Sequence, residues 1–293
     1  MKFGLMAPYM QGPVEDPDYA VAFARLAEEM GFESVWVVDH VVMCPAYASR
    51  YPYSATGRSP FHEDVVQPDP LVWLTHVGAA TRRIRLATGI LILPQRNPVV
   101  LAKTLATMDR LCGGRLLLGI GVGWVREEAE AVGVPFEERG RRTDEYIEAM
   151  RALWRTDRST YQGEFVRFRD VVSRPKPVQP GGVPIHVGGH SRAAARRAGR
   201  LGDGFYPLGV SGQALVELCK LMQEEARAAG RDPARIEISC VGDFKPATAR
   251  AYAELGVARV VVSPPTGDLA KLRDALAKFR SEVIEPFGGE EKR

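Results

Sequence analysis

The chain has 293 residues, 45% of them hydrophobic, which is enough to bury a large core and is ordinary for a water-soluble protein. Its 39 basic and 36 acidic side chains are spread along the chain and give a net charge of +3, with no basic block of the kind that binds nucleic acid. No apolar run reaches the about 18 residues of a membrane span, and the first residues lack a signal-peptide pattern, so we expect a cytoplasmic protein.

β-Branched apolar runs alternate with helical patterns along the whole chain. The runs predict strands over 2–7, 33–38, 84–93, 115–123, 183–189, 202–208, 235–242 and 257–263. The helical patterns predict helices over 17–31, 69–81, 98–111, 141–155, 191–201, 211–229, 246–255 and 268–284. Another helical region precedes 141–155 and is broken at Gly133-Val134-Pro135. Arg96-Asn97-Pro98 is expected to cap the helix over 98–111.

Eight strand-helix units favour a closed (β/α)8 TIM barrel over an open doubly wound sheet. We expect one domain spanning 1–293 with two additions. The first is a Pro/Tyr/Ser-rich insertion at about 43–67, which covers the C-terminal face, and the second is a hairpin at about 160–174. The active site of such a barrel is built at the C-terminal ends of its strands.

Polar and glycine-rich segments stand where several predicted strands end. The stretch "SVWVVDHVV" (34–42) places Asp39-His40 at the end of the second strand, and "GIGVGW" (119–124) ends the fourth. The third glycine of a dinucleotide-binding GxGxxG would fall on Trp124, so that reading is rejected. Two explanations of the glycines stay open: they let the backbone turn off the rim, or they let a flat ligand approach closely.

The stretch "VGGHSRAAARRAG" (187–199) leads from two glycines and Ser191 into a helix. The first amides of such a helix attract an anion, which makes a phosphate-bearing ligand plausible. An ordinary turn, in which Ser191 only caps its own helix, explains the same residues equally well. The four cysteines (Cys44, Cys112, Cys219 and Cys240) form no metal-ligand spacing, so we expect unpaired thiols and no metal site.

Four segments together resemble the bacterial luciferase-like oxidoreductase family. They are "GFESVWVVDH", the long block from "LATGILILPQRNP" to "DEYIEAMRALW", "PIHVGG" and "GRLGDGFYP". The resemblance runs from the first strand to about residue 265 and is strongest to the branch that uses coenzyme F420, a 5-deazaflavin. It implies hydride transfer between the deazaflavin ring and a small organic substrate by a homodimer.

The resemblance also implies roles for eleven residues, with His40 as the catalytic one. Gly89-Ile90 matches a bulge with a non-prolyl cis peptide behind the ring, and the Gly188–Ser191 loop matches the one that holds the cofactor phosphate. The implied cofactor-binding residues are Asp39, His40, Gly89, Ile90, Gly121, Gly123, Trp124, Gly188, Gly189, His190 and Ser191. Asp39 would tune His40, bond the cofactor or anchor the rim.

Trp124 stands where sugar-phosphate-oxidising members have a glutamate, which argues against a sugar-phosphate substrate. We expect an aromatic-lined pocket under the insertion, with Trp36, Tyr9 and Tyr47 near Trp124. The charged run from Glu127 to Arg142 is interpreted as a solvated helical face. His62, His76 and His186 are expected to be structural. Two alternatives stay open: an FMN-dependent monooxygenase that uses dioxygen, and a cofactor-binding barrel without turnover.

Overall fold

Strands and helices alternate through residues 1–288, the part of the chain that the computed structural model describes. The strands are β1 (Lys2–Met6), β2 (Ser34–Val37), β3 (Arg85–Thr88), β4 (Leu91–Ile92), β5 (Leu116–Gly121), β6 (Ser159–Gln162), β7 (Arg167–Val171), β8 (Ile185–Gly188), β9 (Gly204–Tyr206), β10 (Glu237–Gly242) and β11 (Arg259–Val262). The helices are α1 (Pro17–Glu29), α2 (Pro70–Ala80), α3 (Pro98–Leu111), α4 (Arg126–Ala131), α5 (Arg139–Arg155), α6 (Arg192–Leu201), α7 (Gly212–Ala228), α8 (Pro246–Glu254), α9 (Leu269–Phe279) and α10 (Glu285–Gly288).

Eight of the strands form a closed parallel barrel. They pair in the order β3, β2, β1, β11, β10, β9, β8, β5, and the ring closes where β5 pairs with β3, with Leu86 opposite Leu116. The predicted (β/α)8 barrel is therefore confirmed. The predicted hairpin is also present, because β6 and β7 form a separate antiparallel pair.

The third predicted strand, 84–93, is wrong as one unbroken strand. It is divided into β3 and β4 by Gly89 and Ile90, whose peptide bond is cis as the family resemblance implied. The last predicted helix also differs, since a π-helical turn (Arg280–Ile284) separates α9 from α10. Both interruptions are local backbone features that an apolar or helical pattern does not reveal.

Capping side chains account for the starts of several helices. Asn97 accepts hydrogen bonds from the amides of Val99 (3.0 Å) and Val100 (3.2 Å), so the predicted cap of α3 is confirmed. These oxygens satisfy amides that have no partner within the helix. The helices capped in this way are α1 by Asp16, α2 by Asp69, α3 by Asn97, α6 by Ser191 and α9 by Asp268.

The barrel interior is filled by a small cluster around Trp36. It consists of Trp36, Ala87, Leu117, Tyr206 and Val261, all nearly inaccessible to solvent. A Cβ atom on Gly4 would lie 2.4 Å from the Trp36 Nε1 atom, so the indole needs a glycine on the neighbouring strand. A second, larger core packs the outside of the barrel against the helices.

A buried ion cluster closes the N-terminal end of the barrel. Arg259 is fully buried and donates to both carboxylate oxygens of Glu33 (2.9 and 2.8 Å) and to Glu237 (3.1 Å). Burial disfavours the charged form of Glu237, but Arg259 and Lys2 outweigh it and hold its pKa at about 2. A buried guanidinium must keep such partners, because an unpaired charge in the interior is strongly destabilising.

The ion cluster predicts acid-sensitive stability. Glu237 ionises more readily in the folded chain than its unfolded value of about 4.3, so its contribution is complete above that pH and is lost toward about pH 2. We expect Glu237→Gln to lower the free energy of unfolding by about 2 kcal/mol at pH 7 and to flatten its decline in acid. Urea unfolding at several pH values measures both effects, with exposed Glu254→Gln as the control. A variant that kept the wild-type slope would contradict the prediction.

Candidate active site

A cavity of about 700 Å³ opens at the C-terminal ends of the barrel strands. All eleven residues to which the family resemblance gave a role border it: Asp39, His40, Gly89, Ile90, Gly121, Gly123, Trp124, Gly188, Gly189, His190 and Ser191. The fold therefore brings together residues from the ends of four strands that are far apart in the sequence. What each of them does there stays a prediction.

The imidazole of His40 is held by Glu128, which lies on α4. His40 Nδ1 is 2.9 Å from one carboxylate oxygen, and the amide of Val41 donates to the other at 2.7 Å. The side chain of Glu128 is completely buried. The interpretation of 127–142 as a solvated helical face is therefore wrong at Glu128, because the start of α4 packs against the segment that follows β2.

Glu127, the residue before Glu128, holds the insertion rather than His40. Its carboxylate accepts from the amide of Ala48 at 2.7 Å and from the hydroxyl of Ser49 at 3.4 Å. The same hydroxyl accepts from the amide of Arg126 at 3.0 Å. The first turn of α4 thus fastens the start of the insertion over the cavity. Two adjacent acids just beyond the glycine-rich strand end were the sequence signal for this contact.

Asp39 joins three elements at the rim. Its carboxylate accepts from the amide of Ile92 at 2.9 Å and from Arg96 at 2.9 Å, and Arg96 also pairs with Asp69, the cap of α2, at 2.9 Å. Burial raises the pKa of Asp39, and Arg96 opposes that rise. Of the three roles considered for Asp39, rim anchoring is the one that these contacts describe.

The side chain of Ile90 explains two of the glycines. A Cβ atom on Gly121 would lie 2.5 Å from Ile90 Cδ1, and one on Gly188 would lie 2.7 Å from Ile90 Cγ2. Both distances are too short for packed carbon atoms. Gly123 and Gly189 instead adopt positive φ angles of 80° and 107°, which favour glycine. Close packing and backbone turning are therefore both present along this wall.

Three tyrosines of the insertion and Trp124, which follows β5, form a row of contacting aromatic rings at the cavity. We call Tyr47, Tyr51, Tyr53 and Trp124 the aromatic arch. The Trp124 ring lies 5.1 Å from Tyr47 and 5.1 Å from Tyr51, and 6.2 Å from His40. Tyr51 contacts Tyr53 at 5.3 Å, and Tyr53 contacts His190 at 4.9 Å. The arch therefore runs from the end of β2 to the end of β8.

Two aromatic residues expected beside Trp124 lie elsewhere. Trp36 fills the barrel interior and donates to Ser34 Oγ at 2.8 Å, and the buried Tyr9 hydroxyl accepts from the amide of Val38 at 3.0 Å. Neither borders the cavity. Their expected place beside Trp124 was wrong because the Trp36 ring fills the barrel interior and Tyr9 lies in the turn that follows β1, with its hydroxyl on Val38. Tyr51 and Tyr53 were missed because the insertion has no periodic pattern.

The N-terminus of α6 borders the cavity. Gly189, Ser191, Ala193 and Ala194 border the cavity, and Ser191 accepts from the amide of Ala194 at 3.1 Å. The Ser191 cap of α6 is therefore present, and the phosphate site at the same turn stays a prediction. His190 Nδ1, in the same segment, is buried and has no hydrogen-bond partner within residues 1–288.

Three arginines border the cavity, and they differ in their partners. Arg197 is buried and bonds Asp144 and the Gly140 carbonyl. Arg139 stacks 3.7 Å from the centre of the Phe136 ring, and Arg50 is exposed. In the described part of the chain, no carboxylate lies within 4.0 Å of Arg50 or Arg139. Arg139 donates to the carbonyls of Phe136 at 2.7 Å and Gly123 at 3.3 Å, so no acid within 4.0 Å compensates either positive charge among the described residues.

The other histidines lie outside the cavity. His76 lies on α2, 3.1 Å from the Pro17 carbonyl, and burial lowers the pKa of His186 to about 3.

Among the described residues, no three or more His, Cys, Asp or Glu side chains are grouped as a metal site. No helix in the same range is both long and apolar enough to cross a bilayer. All four cysteines are unpaired thiols.

Two curated relatives differ in cofactor. An FMNH2-dependent dimethylsulfone monooxygenase of Pseudomonas putida is 31% identical over 94% of this chain and 67% of its own. An F420-dependent glucose-6-phosphate dehydrogenase of Kineococcus radiotolerans is 35% identical over 75% of this chain and 62% of its own.

The fold is shared with solved structures. A monooxygenase from Streptomyces bottropensis superposes with a TM-score of 0.77, at 24% identity, over 98% of this chain and 100% of the other. The sequence model of the family "Luciferase-like monooxygenase" matches residues 1–280. The chain therefore belongs to the luciferase-like monooxygenase family.

Proposed function

We propose that this protein is a coenzyme F420-dependent oxidoreductase that moves a hydride between the deazaflavin ring and a small organic substrate. One observation carries the choice of cofactor: Arg50 and Arg139 border the cavity without a carboxylate partner among the described residues, in addition to the α6 N-terminus. FMN offers one phosphate, which the helix N-terminus alone would satisfy. Coenzyme F420 adds carboxylates beyond its phosphate, and these fit two further arginines.

The cavity suits the rest of the cofactor as well. The Gly188–Ser191 segment and the first amides of α6 would hold the phosphate, and the unpartnered Nδ1 of His190 is placed to bond it or the adjoining chain. Ile90 and the apolar wall beside it would support a flat ring. When bound, the deazaflavin supplies the acceptor or donor of the hydride, and the protein supplies position and proton handling.

His40 is the group that would handle the proton. Because Nδ1 faces the buried carboxylate of Glu128 at 2.9 Å, Nε2 is the ring nitrogen left for a substrate. A neutral imidazole held in this way takes a proton from an alcohol as a hydride leaves the carbon, and the protonated ring returns it to a carbonyl in reverse. Glu128 would fix the tautomer and stabilise the positive ring, much as a buried acid supports a catalytic histidine elsewhere.

The aromatic arch indicates the substrate class. Its members Tyr51, Tyr53 and Trp124 border the cavity, where their rings exclude water and favour an apolar or aromatic substrate. Secondary alcohols, ketones, imines and electron-poor alkenes are therefore the compounds to screen. With Trp124 at this place, we do not expect sugar phosphates, although the Kineococcus relative is named for one.

An FMN-dependent monooxygenase is the second candidate. It is favoured by the relative named for FMNH2, because that alignment extends over 94% of this chain. A barrel that binds its cofactor without turnover is the third. The homodimer and the cytoplasmic location stay predictions.

Cofactor preference can be measured without a substrate. We expect oxidised F420 to bind at least tenfold more tightly than FMN, since it forms additional charge-assisted contacts at the rim. Equilibrium titrations that follow quenching of each cofactor's fluorescence give both dissociation constants. Tighter binding of FMN would favour the monooxygenase and refute the proposal.

The rim arginines should discriminate between the cofactors. We expect Arg50→Gln to raise the Kd of F420 about threefold to tenfold while leaving the Kd of FMN nearly unchanged. Arg141→Gln is the matched control, because Arg141 is exposed and pairs with Glu164 instead of bordering the cavity. An equal change in the Kd of both cofactors would show that Arg50 does not bind the carboxylates of F420.

Proton transfer by His40 predicts a ranked series of variants. With any alcohol or ketone that the wild type converts, we expect His40→Ala to lower kcat by about 10²-fold or more and Glu128→Gln by about tenfold or more. Glu127→Gln should stay near wild type, because Glu127 holds the insertion but does not touch the imidazole. Steady-state kinetics on the three variants test this order. Unchanged turnover in His40→Ala would remove His40 from the mechanism.

A further inference from the structure

Tyr206 carries an unusual hydroxyl. The residue ends β9, is 2% exposed and borders the cavity, yet its Oη atom has no hydrogen-bond partner within the described chain. The other buried tyrosines are all paired. The Tyr9 hydroxyl accepts from Val38, Tyr146 accepts from Arg142 at 3.2 Å, and Tyr252 donates to the Val241 carbonyl at 3.0 Å.

A hydroxyl without a partner destabilises the interior in which it lies. Phenylalanine would fill the same space against Trp36, whose ring centre is 5.0 Å away, without that cost. The fold alone therefore gives no reason for the oxygen atom. Burial raises the pKa of Tyr206, so the group stays protonated at neutral pH and is able to donate.

Tyr206 borders the deep, barrel-side part of the site, beside the segment assigned to the cofactor, and its hydroxyl is buried there. Tyr206 is opposite Gly188 in the β8–β9 register, and its carbonyl accepts from the amide of Gly189 at 3.2 Å. The Tyr206 ring packs into the Trp36 cluster inside the barrel. The part of a ligand that reaches this deep part of the site is the edge that enters deepest.

We propose that Tyr206 donates a hydrogen bond to a carbonyl oxygen on the pyrimidine edge of the bound ring. This contact rests on the proposed use of a flavin-type cofactor, and that edge is common to the flavin and the deazaflavin. Tyr206 is thus a binding residue that contacts the pyrimidine edge, which the two cofactors share. The rim arginines instead contact the carboxylates, which only F420 carries. A substrate carbonyl at the same place is the competing occupant.

The test compares two substitutions that each remove one buried hydroxyl. For Tyr206→Phe, we expect the Kd of the bound cofactor to rise about tenfold and the melting temperature of the cofactor-free protein to stay equal or increase. For Tyr252→Phe, which loses a satisfied bond between two residues that do not border the cavity, we expect an unchanged Kd and a lower melting temperature. Fluorescence titrations with F420 and with FMN, and thermal unfolding followed by circular dichroism, measure both quantities.

The outcomes separate this contact from the proposed function. An unchanged cofactor Kd in Tyr206→Phe would overturn the contact and leave the F420 proposal standing. A lower melting temperature of cofactor-free Tyr206→Phe would also overturn it, because the hydroxyl would then serve the fold. If the wild type bound only FMN, and Tyr206→Phe weakened that binding, the F420 proposal would fail and the contact would hold. Binding of neither cofactor to the wild type would refute both.

Discussion

The hydrogen bond between the buried carboxylate of Glu128 and the imidazole of His40 is the contact on which the proposed chemistry depends. An ionised carboxyl group without solvent must find donors, and Glu128 finds them in the imidazole of His40 and the amide of Val41. The segment that follows β2 and the first turn of α4 are therefore held together by one group. The neighbouring Glu127 bonds Ala48 and Ser49 of the insertion, so the same turn of α4 supports both the orientation of His40 and the cover of the cavity.

The two ends of the barrel do different work. At the N-terminal end, the buried charge of Arg259 is paired with Glu33 and Glu237, acidic partners that belong to the chain itself. At the C-terminal end, several polar groups are satisfied and others are not. This separation agrees with the general division of TIM barrels into a stabilising face and a catalytic face. It allows the rim to change its side chains without disturbing the closure of the sheet.

Most of the architecture could be predicted from the sequence, because each strand-helix unit shows its own pattern of apolar residues. The end of a parallel strand also predicts a place on the catalytic face, which located Asp39 and His40. Glu128 could not be found in this way, since a charged helical run does not show which of its faces meets a loop from another part of the chain. Tyr51 and Tyr53 lie in an aperiodic insertion, and the break at Gly89-Ile90 came from family resemblance rather than from the apolar pattern.

The polar groups around the cavity fall into two sets, and the difference between them supports the proposed class of ligand. Asp39, Glu128 and Arg197 have partners within the chain, so they maintain the shape of the site. Tyr206 and His190 carry unpartnered atoms, and Arg139 has no carboxylate partner in the described range. A ligand that satisfies the second set must present a polar ring edge at the floor and negative charge at the rim. Flavin and deazaflavin cofactors share the first property, so relatives with either cofactor can keep the same barrel. In the proposed function, discrimination between them depends on the rim, where a single arginine would change the preference without altering the ring site.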